Sequence, residues 1–207
     1  MEPGPSNAVT DADLVRTTLA GSLDAFAAVV ARHHRPLHGF LFRLVLNRHD
    51  AEDLVQETFL AAYRHLGRYD ARYGFKTWLF TIGRRLAISA LRRHRLTHPP
   101  GQPLSESVDA IAAGDAGVMR REASHDLHAA LAELPPVYRQ ALWLFYVEEM
   151  AAADVAAVLG KTSLGTRVLL HRARTALRRQ LVDRATGAET LELAAVPLRA
   201  DAMRGGK

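Results

Sequence analysis

The sequence predicts an all-α protein made of two small helical domains joined by an extended linker, and three observations carry that expectation. Ala, Leu and Arg dominate while alternating β-branched runs are scarce, a balance that favours helix over strand. Apolar residues recur at i, i+3, i+4 and i+7 through most of the chain, the spacing of helices with one buried stripe. From residue 97 to 118 the composition changes to THPPGQPLSESVDAIAAGDAGV, with three prolines, three glycines, three acids and no Lys or Arg. That is the make-up of an extended, mildly acidic linker.

The 207 residues hold 27 Lys+Arg against 22 Asp+Glu, a formal net charge of +5 and a pI near 10.0. Such an excess suits a polyanion, either nucleic acid or an acidic membrane surface. Cysteine is absent, which excludes disulfides and thiolate metal sites. No apolar run is long enough to span a bilayer, and residues 1–10 lack the apolar core of a signal peptide. The expectation is a soluble, cytoplasmic chain without membrane insertion.

Residues 1–10, with Pro3, Gly4 and Pro5, read as a disordered tail. The first domain, 11–96, opens with Asp11 capping a short helix that Gly21 ends. A second helix spans about 22–34 and buries Phe26, Val29 and Val30. Pro36 starts a third, with Leu37, Phe40, Leu41, Leu44 and Val45 inward. The next helix, DAEDLVQETFLAAYRHL at 50–66, has an acidic first turn suited to the positive end of a helix dipole. It buries Leu54, Val55, Phe59 and Ala62 and leaves Asp53, Gln56, Glu57 and Leu60 on a second face. That face is either a solvated charged surface or a docking surface, because Leu60 and Tyr63 sit among the charges.

A turn, GRYDARYG at 67–74, feeds FKTWLFTIGRRLAISALRRHRL at 75–96. Phe75, Leu79, Ile82, Leu86 and Ala90 form the stripe expected to be buried. Thr81, Arg85 and Arg92 run down an adjoining flank with Ser89 at its edge. The aromatics Phe75, Trp78 and Phe80 form an entrance, and no acid occurs between Asp70 and Glu106. A solvated helix would mix both signs of charge. This one-sided stretch points to a polyanionic partner.

Beyond the linker, a second domain covers 119–184. Helices are expected near 120–133, from the Pro135-Pro136 break to about Val147, and at 152–159. A tight turn at Gly160, a cap at Thr162 or Ser163 and a long basic helix to about Arg184 follow. Thr166, Leu170, Ala173, Leu177 and Leu181 mark its buried stripe, while Arg167, Val168, His171, Arg172 and Arg174 project elsewhere. Two helices about a short glycine turn, the second rich in arginine, form a helix-turn-helix pattern. Residues 185–207 read as a tail with a weak helix at 188–195.

Three tempting motifs fail. Gly160-Lys161-Thr162-Ser163 imitates the end of a phosphate-binding loop, but Val155 stands where the motif requires glycine. His34/His38 and His125/His128 have metal-ligand spacing, but Pro36 interrupts the first pair, and neither is expected to gain the carboxylate or thiolate that usually completes a site. No nucleophile and base can be paired, so no catalytic constellation, metal or cofactor is expected.

DAEDLVQETFLAAYRHL at 50–66, FKTWLFTIGRRLA with ISALRR at 75–93, LAELPPVYRQAL at 131–142, and ADVAAVLG with LLHRAR at 153–174 occur in this order. Together they resemble the extracytoplasmic-function group of bacterial RNA polymerase sigma factors, in the sigma-70 family, over about residues 11–184. The resemblance implies a non-catalytic initiation factor of stress-response type. Its region 2 helical bundle would open and read the promoter minus-ten element, and its region 4 helix-turn-helix would read the minus-thirty-five element. Core RNA polymerase, through its beta-prime clamp helices and beta flap, promoter DNA and an anti-sigma factor are the implied partners. Asp53, Gln56, Glu57, Leu60 and Tyr63 would meet polymerase. Tyr69, Arg72, Tyr73, Lys76, Trp78, Thr81, Arg85, Ser89, Arg92 and Arg93 would meet the minus-ten element. Arg167, Val168, His171, Arg172 and Arg174 would meet the minus-thirty-five element. Arg85 and Ser89 stand where the family commonly has Asn and Asp, and LGTRVLL at 164–170 replaces the usual GTVKSRL. A stand-alone helix-turn-helix regulator would explain the second domain, but neither the acid-free 71–105 stretch nor the Asp53/Gln56/Glu57 face.

Overall fold

The computed structural model describes residues 9–97, 127 and 129–194, and among these it is helical without strands. Helix α1 (Asp11–Leu19) is capped by Thr10 rather than Asp11. The Thr10 hydroxyl accepts from the Asp13 backbone N–H, and the Asp13 carboxylate accepts from the Thr10 N–H, a reciprocal capping box. Asp11 is thereby released for another use. Its carboxylate pairs with Arg32 at 2.5 Å and with His33 Nε2 at 2.7 Å, tying α1 to the next helix.

Gly21 ends this segment at φ +103°, a left-handed conformation that suits glycine. One continuous helix, α2 (Leu23–Val45), then replaces the two expected on either side of Pro36. Proline inside a helix removes a hydrogen bond and costs roughly 3 kcal/mol. Here Ala25, Val29, His33, Leu37, Leu41 and Val45 continue a single buried stripe through it. Tertiary burial of that stripe outweighs the local penalty.

Asn47 caps α3 (Arg48–Arg64), whose Leu54, Val55, Phe59 and Ala62 are buried as their spacing requires. A single 3-10 turn at 66–68 leads to α4 (Phe75–Thr97). Gly83 marks the closest approach of α4 to its neighbours. A Cβ there would lie 3.1 Å from Leu37 Cδ1 and 3.2 Å from Thr58 Oγ1, so glycine is the residue that fits this crossing.

The remaining described helices are α5 (Pro136–Leu142), continued by a π-type turn at Trp143–Val147, then α6 (Ala152–Leu159) and α7 (Ser163–Ala194). Residues 129–133 are also helical, while residues 120–126 of that expected helix lie outside the described set. Gly160 at φ +64° forms the turn between α6 and α7, and Thr162 caps α7 by accepting from Gly165 N–H at 3.1 Å. The last helix runs ten residues past its expected end, to Ala194 rather than Arg184, taking in most of the weak helix expected at 188–195.

The two sets of helices share a core. Leu37, Phe40, Leu79 and Phe80 from the first half join Ala141, Leu144, Val155, Val158 and Leu170 from the second in one buried cluster. Helix α6 packs on α4, α5 touches α2, and α7 lies on both α5 and α6. This corrects the expected exposure around α4. Phe80, placed by its sequence context in an aromatic entrance, is fully buried, as are Gly83 and Ala87 along the same side.

His33 supplies a test of the α1–α2 tie. Desolvation lowers its pKa below the ordinary imidazole value, partly opposed by Asp11 and reinforced by Lys76 and Arg32. The unfolded chain therefore takes up a proton at His33 that the folded chain resists, so stability falls as pH drops below about 6.5. We expect the urea midpoint of the wild-type chain to fall more between pH 7.5 and 5.5 than that of His33→Phe. Equal falls would show that the imidazole is not held neutral.

Candidate nucleic-acid interface

An α-helix turns 100° per residue, and on α4 that rotation sorts the expected contacts. Trp78, Thr81, Arg85, Ser89 and Arg92 fall along one side, with Arg93 beside them. Arg85, Ser89, Arg92 and Arg93 are exposed, so no arginine of the expected reading face is sealed inside. Thr81 is half-buried and donates its hydroxyl to Thr77 O at 2.7 Å. At the N-terminal end, Trp78 packs against Tyr69 and Phe75 with ring centroids 5.3 and 5.6 Å away. Tyr69 donates to Tyr73 O at 2.6 Å, leaving the Tyr73 ring outward and 58% exposed. The Tyr69 phenol is pushed above its ordinary pKa by burial, with Asp11 and Asp70 adding to the effect. Next to it Arg72 and Asp70 form an exposed pair at 2.6 Å, which raises the guanidinium pKa and lowers that of the carboxyl.

Lys76 does not join this group. It lies nine residues before Arg85, half a turn round the helix, and faces the second half of the chain. Its ammonium meets Glu148 Oε2 at 2.7 Å and donates to Glu148 O at 2.9 Å. The acid-free run around Lys76 therefore misread the direction of one cation, whose partner is distant in sequence.

On α7, Arg167, His171 and Arg174 share one side, with Val168 and Arg172 on the adjoining side, and all five are exposed. Thr166, Leu170 and Ala173 are buried beneath them, while Leu177 and Leu181 are half-buried. Arg174 donates Nε to Leu170 O at 3.2 Å, which holds its guanidinium along the helix. Exposed cations above an apolar spine can follow a phosphate backbone, and their fork-shaped heads can reach base edges.

The other candidate face is on α3. Asp53, Gln56, Glu57, Leu60 and Tyr63 are all exposed, with Leu60 at 56% and Tyr63 at 45%. The Tyr63 ring rests edge-on against Phe26 with centroids 4.9 Å apart, so it is braced while still presented outward. An exposed leucine and tyrosine flanked by acids form a surface of opposite character to α4 and α7.

Two features were missed in the sequence. Glu52, eighteen residues from His34, accepts at 3.1 Å from His34 Nε2 and lies 3.8 Å from His38 Nε2. The histidine pair therefore does have a carboxylate, contrary to expectation. Its two rings stack in parallel with centroids 6.4 Å apart, and no group of three ligating side chains among the described residues has the geometry of a metal site. His125 and His128 lie outside the described residues. The second feature is a groove of about 780 Å³ lined by Phe42, Leu131, Leu142, Trp143, Leu177 and Leu181, with Arg43, Arg139, Arg174 and Arg178 at its edges. Its walls come from segments far apart in sequence, so no local pattern announces it.

No helix among the described residues is long and apolar enough to cross a membrane. Residues 29–97 match the family model for Sigma-70 region 2, and residues 124–177 match that for Sigma-70, region 4. The chain is 36% identical over 163 residues to the RNA polymerase sigma factor CarQ of Myxococcus xanthus, covering 78% of this chain and 91% of the other. It is 33% identical over 174 residues to the ECF RNA polymerase sigma factor SigM of Mycobacterium tuberculosis, covering 83% and 85%. Among solved structures, the sigma factor RpoE in its complex with the anti-sigma factor NepR from Bartonella quintana superposes with a TM-score of 0.64. That likeness has 25% identity and covers 77% of this chain and 98% of the other. With paired regions in this order and relatives matched along most of their length, the chain belongs to the extracytoplasmic-function sigma factors of the sigma-70 family.

Proposed function

We propose that this sigma factor works in the cytoplasm, without catalysis of its own, through three separate faces on domains bounded near 11–96 and 119–184. The observation that carries the reading is the division of exposed chemistry. Acids and two apolar side chains share α3, while cations occupy α4 and α7, with Tyr73 exposed in the turn before α4. Asp53, Gln56, Glu57, Leu60 and Tyr63 dock on the beta-prime clamp helices of core RNA polymerase. Trp78, Thr81, Arg85, Ser89, Arg92 and Arg93, with Tyr69, Arg72 and Tyr73 from the preceding turn, take the minus-ten element. Stacking on aromatics and neutralisation by arginine can hold an unstacked base once the strands separate. Arg167, Val168, His171, Arg172 and Arg174 take the minus-thirty-five element, with Arg167 suited to a bidentate guanine contact worth ~1–3 kcal/mol of discrimination. The apolar groove with its arginine edges suits an acidic partner helix, such as an anti-sigma factor supplies.

Run-off transcription with purified core polymerase on a promoter library tests the assignment. Addition of the chain is expected to create discrete start sites, and Arg85→Ala with Arg92→Ala to remove most transcript while polymerase still co-purifies. Core enzyme without any gain of start-site selectivity would refute it.

A further inference from the structure

The exposed side of α7 is not uniformly basic. Helix rotation places Leu164, Val168, His171 and Thr175 in one row, opposite the buried Thr166, Leu170 and Ala173. The first two members of that row are apolar and open to solvent, Leu164 at 73% and Val168 at 43%. Leu169 differs from them, because it is half-buried and packs against the core. A single exposed leucine on a protein surface needs no explanation. Here two branched apolar side chains stand one helical turn apart, in the middle of a face whose borders are charged.

Those borders are cationic on both sides. Arg167 lies about 60° round the helix from Leu164 in one direction and Arg172 about 80° in the other, and both are exposed. No acid occurs between Asp154 and Asp183. The helix start that carries Leu164 is fixed by its cap. Thr162 Oγ1 accepts from Gly165 N–H at 3.1 Å, and a Cβ on Gly165 would lie 3.0 Å from that oxygen. Glycine lets the cap close, so the turn presenting Leu164 is anchored on either side of it.

Apolar groups in the centre and cations at the edges match one kind of DNA surface. The major groove is about 12 Å wide and admits an α-helix. Base edges form its floor, and phosphates line its rims. Of the four bases only thymine presents a methyl group on that floor. Against guanine, cytosine or adenine edges, Leu164 and Val168 would cover donors and acceptors without pairing them, which is unfavourable once water is excluded.

Resting on the proposed reading of the minus-thirty-five element by α7, we propose that Leu164 and Val168 read thymine C5-methyl groups in the major groove. Each side chain covers one methyl, while the flanking arginines take phosphates and a neighbouring guanine. Specificity at these two positions comes from apolar contact, in place of hydrogen bonds that neither side chain can make.

Holoenzyme assembled from core polymerase and the full chain tests this by selecting duplexes randomised over the minus-thirty-five segment. The selected duplexes are expected to hold thymine at two positions under the helix start. Deoxyuridine at either position removes only the methyl and is expected to weaken binding about fourfold, the scale of one buried methyl group. Leu164→Ala and Val168→Ala should each remove most of that difference at one thymine and leave it at the other. Both sites are exposed, so the variants should melt as wild type does. Their salt dependence should also match wild type, because no phosphate contact is lost, whereas Arg172→Ala should lower the slope. Selected sites without thymine would overturn the proposal, as would equal binding of thymine and deoxyuridine duplexes by wild type. An unchanged methyl effect in both variants would also overturn it, by placing the methyls against another part of the protein. Weaker binding of the double variant to core polymerase without DNA would assign the two side chains to a protein contact instead. If holoenzyme selects no sequence over this segment, the proposed reading of the element fails and the methyl contacts fall with it.

Discussion

Phe80→Ala is expected to lower the unfolding free energy by about 3–5 kcal/mol, the range for deleting a buried aromatic that leaves a cavity. The ring is wholly inaccessible, 5.3 Å from Phe40 by centroid, with the Lys76 ammonium 5.8 Å from its own centroid. It belongs to the cluster that joins α4 to α6 and α7. A domain stabilised by about 5–15 kcal/mol has little to spare after such a loss. Urea unfolding followed by far-UV circular dichroism and, in a Trp78→Phe background that leaves Trp143 as the sole tryptophan, by fluorescence checks this. Both signals should move to a lower midpoint together, because Trp143 reports the second half while the lesion lies in the first. A drop confined to one signal would mean that the halves do not share a core.

Much of this fold could be read from local pattern. The borders of α6, the left-handed Gly160 turn and the buried Leu54, Val55, Phe59 and Ala62 of α3 need only spacing and turn chemistry. What failed required knowledge of distant neighbours. Pro36 signals a helix start by its own preferences, and only the stripe from Ala25 to Val45 makes it tolerable mid-helix. One buried side of α4 was evident as Phe75 and Leu79. The second side is covered by distant elements: Gly83 lies against Leu37 and Thr58 and Phe80 against Phe40, while α6, more than fifty residues on, also packs on α4. Lys76 illustrates the same limit for the candidate site. No acid occurs between Asp70 and Glu106 around it, yet its contact is the carboxylate of Glu148, 72 positions along the chain. The exposed faces of α3, α4 and α7 were legible because exposure of charge on an amphipathic helix follows from the burial of its opposite side.

Asp53→Ala combined with Leu60→Ala is expected to weaken core polymerase binding by about 30-fold or more, while the melting curve of the free chain stays unchanged. Truncation of interface anchors commonly costs 2 kcal/mol or more when the side chains become desolvated on binding. Leu60 leaves over half its surface to solvent in the free chain, and Asp53 is exposed beside it on α3. Neither supports the core, so surface substitution should alter folding stability by no more than about 0.5 kcal/mol. Removing the leucine separates apolar docking from charge steering. Loss of Asp53 alone should slow association and make it less sensitive to salt, whereas loss of Leu60 should speed dissociation. Arg16→Ala, at an exposed position of α1 where the guanidinium pairs with Asp13, is the matched control and should leave both rates in place. If the double variant binds polymerase as the wild type does, the α3 face is a solvated surface and polymerase docks elsewhere on the chain.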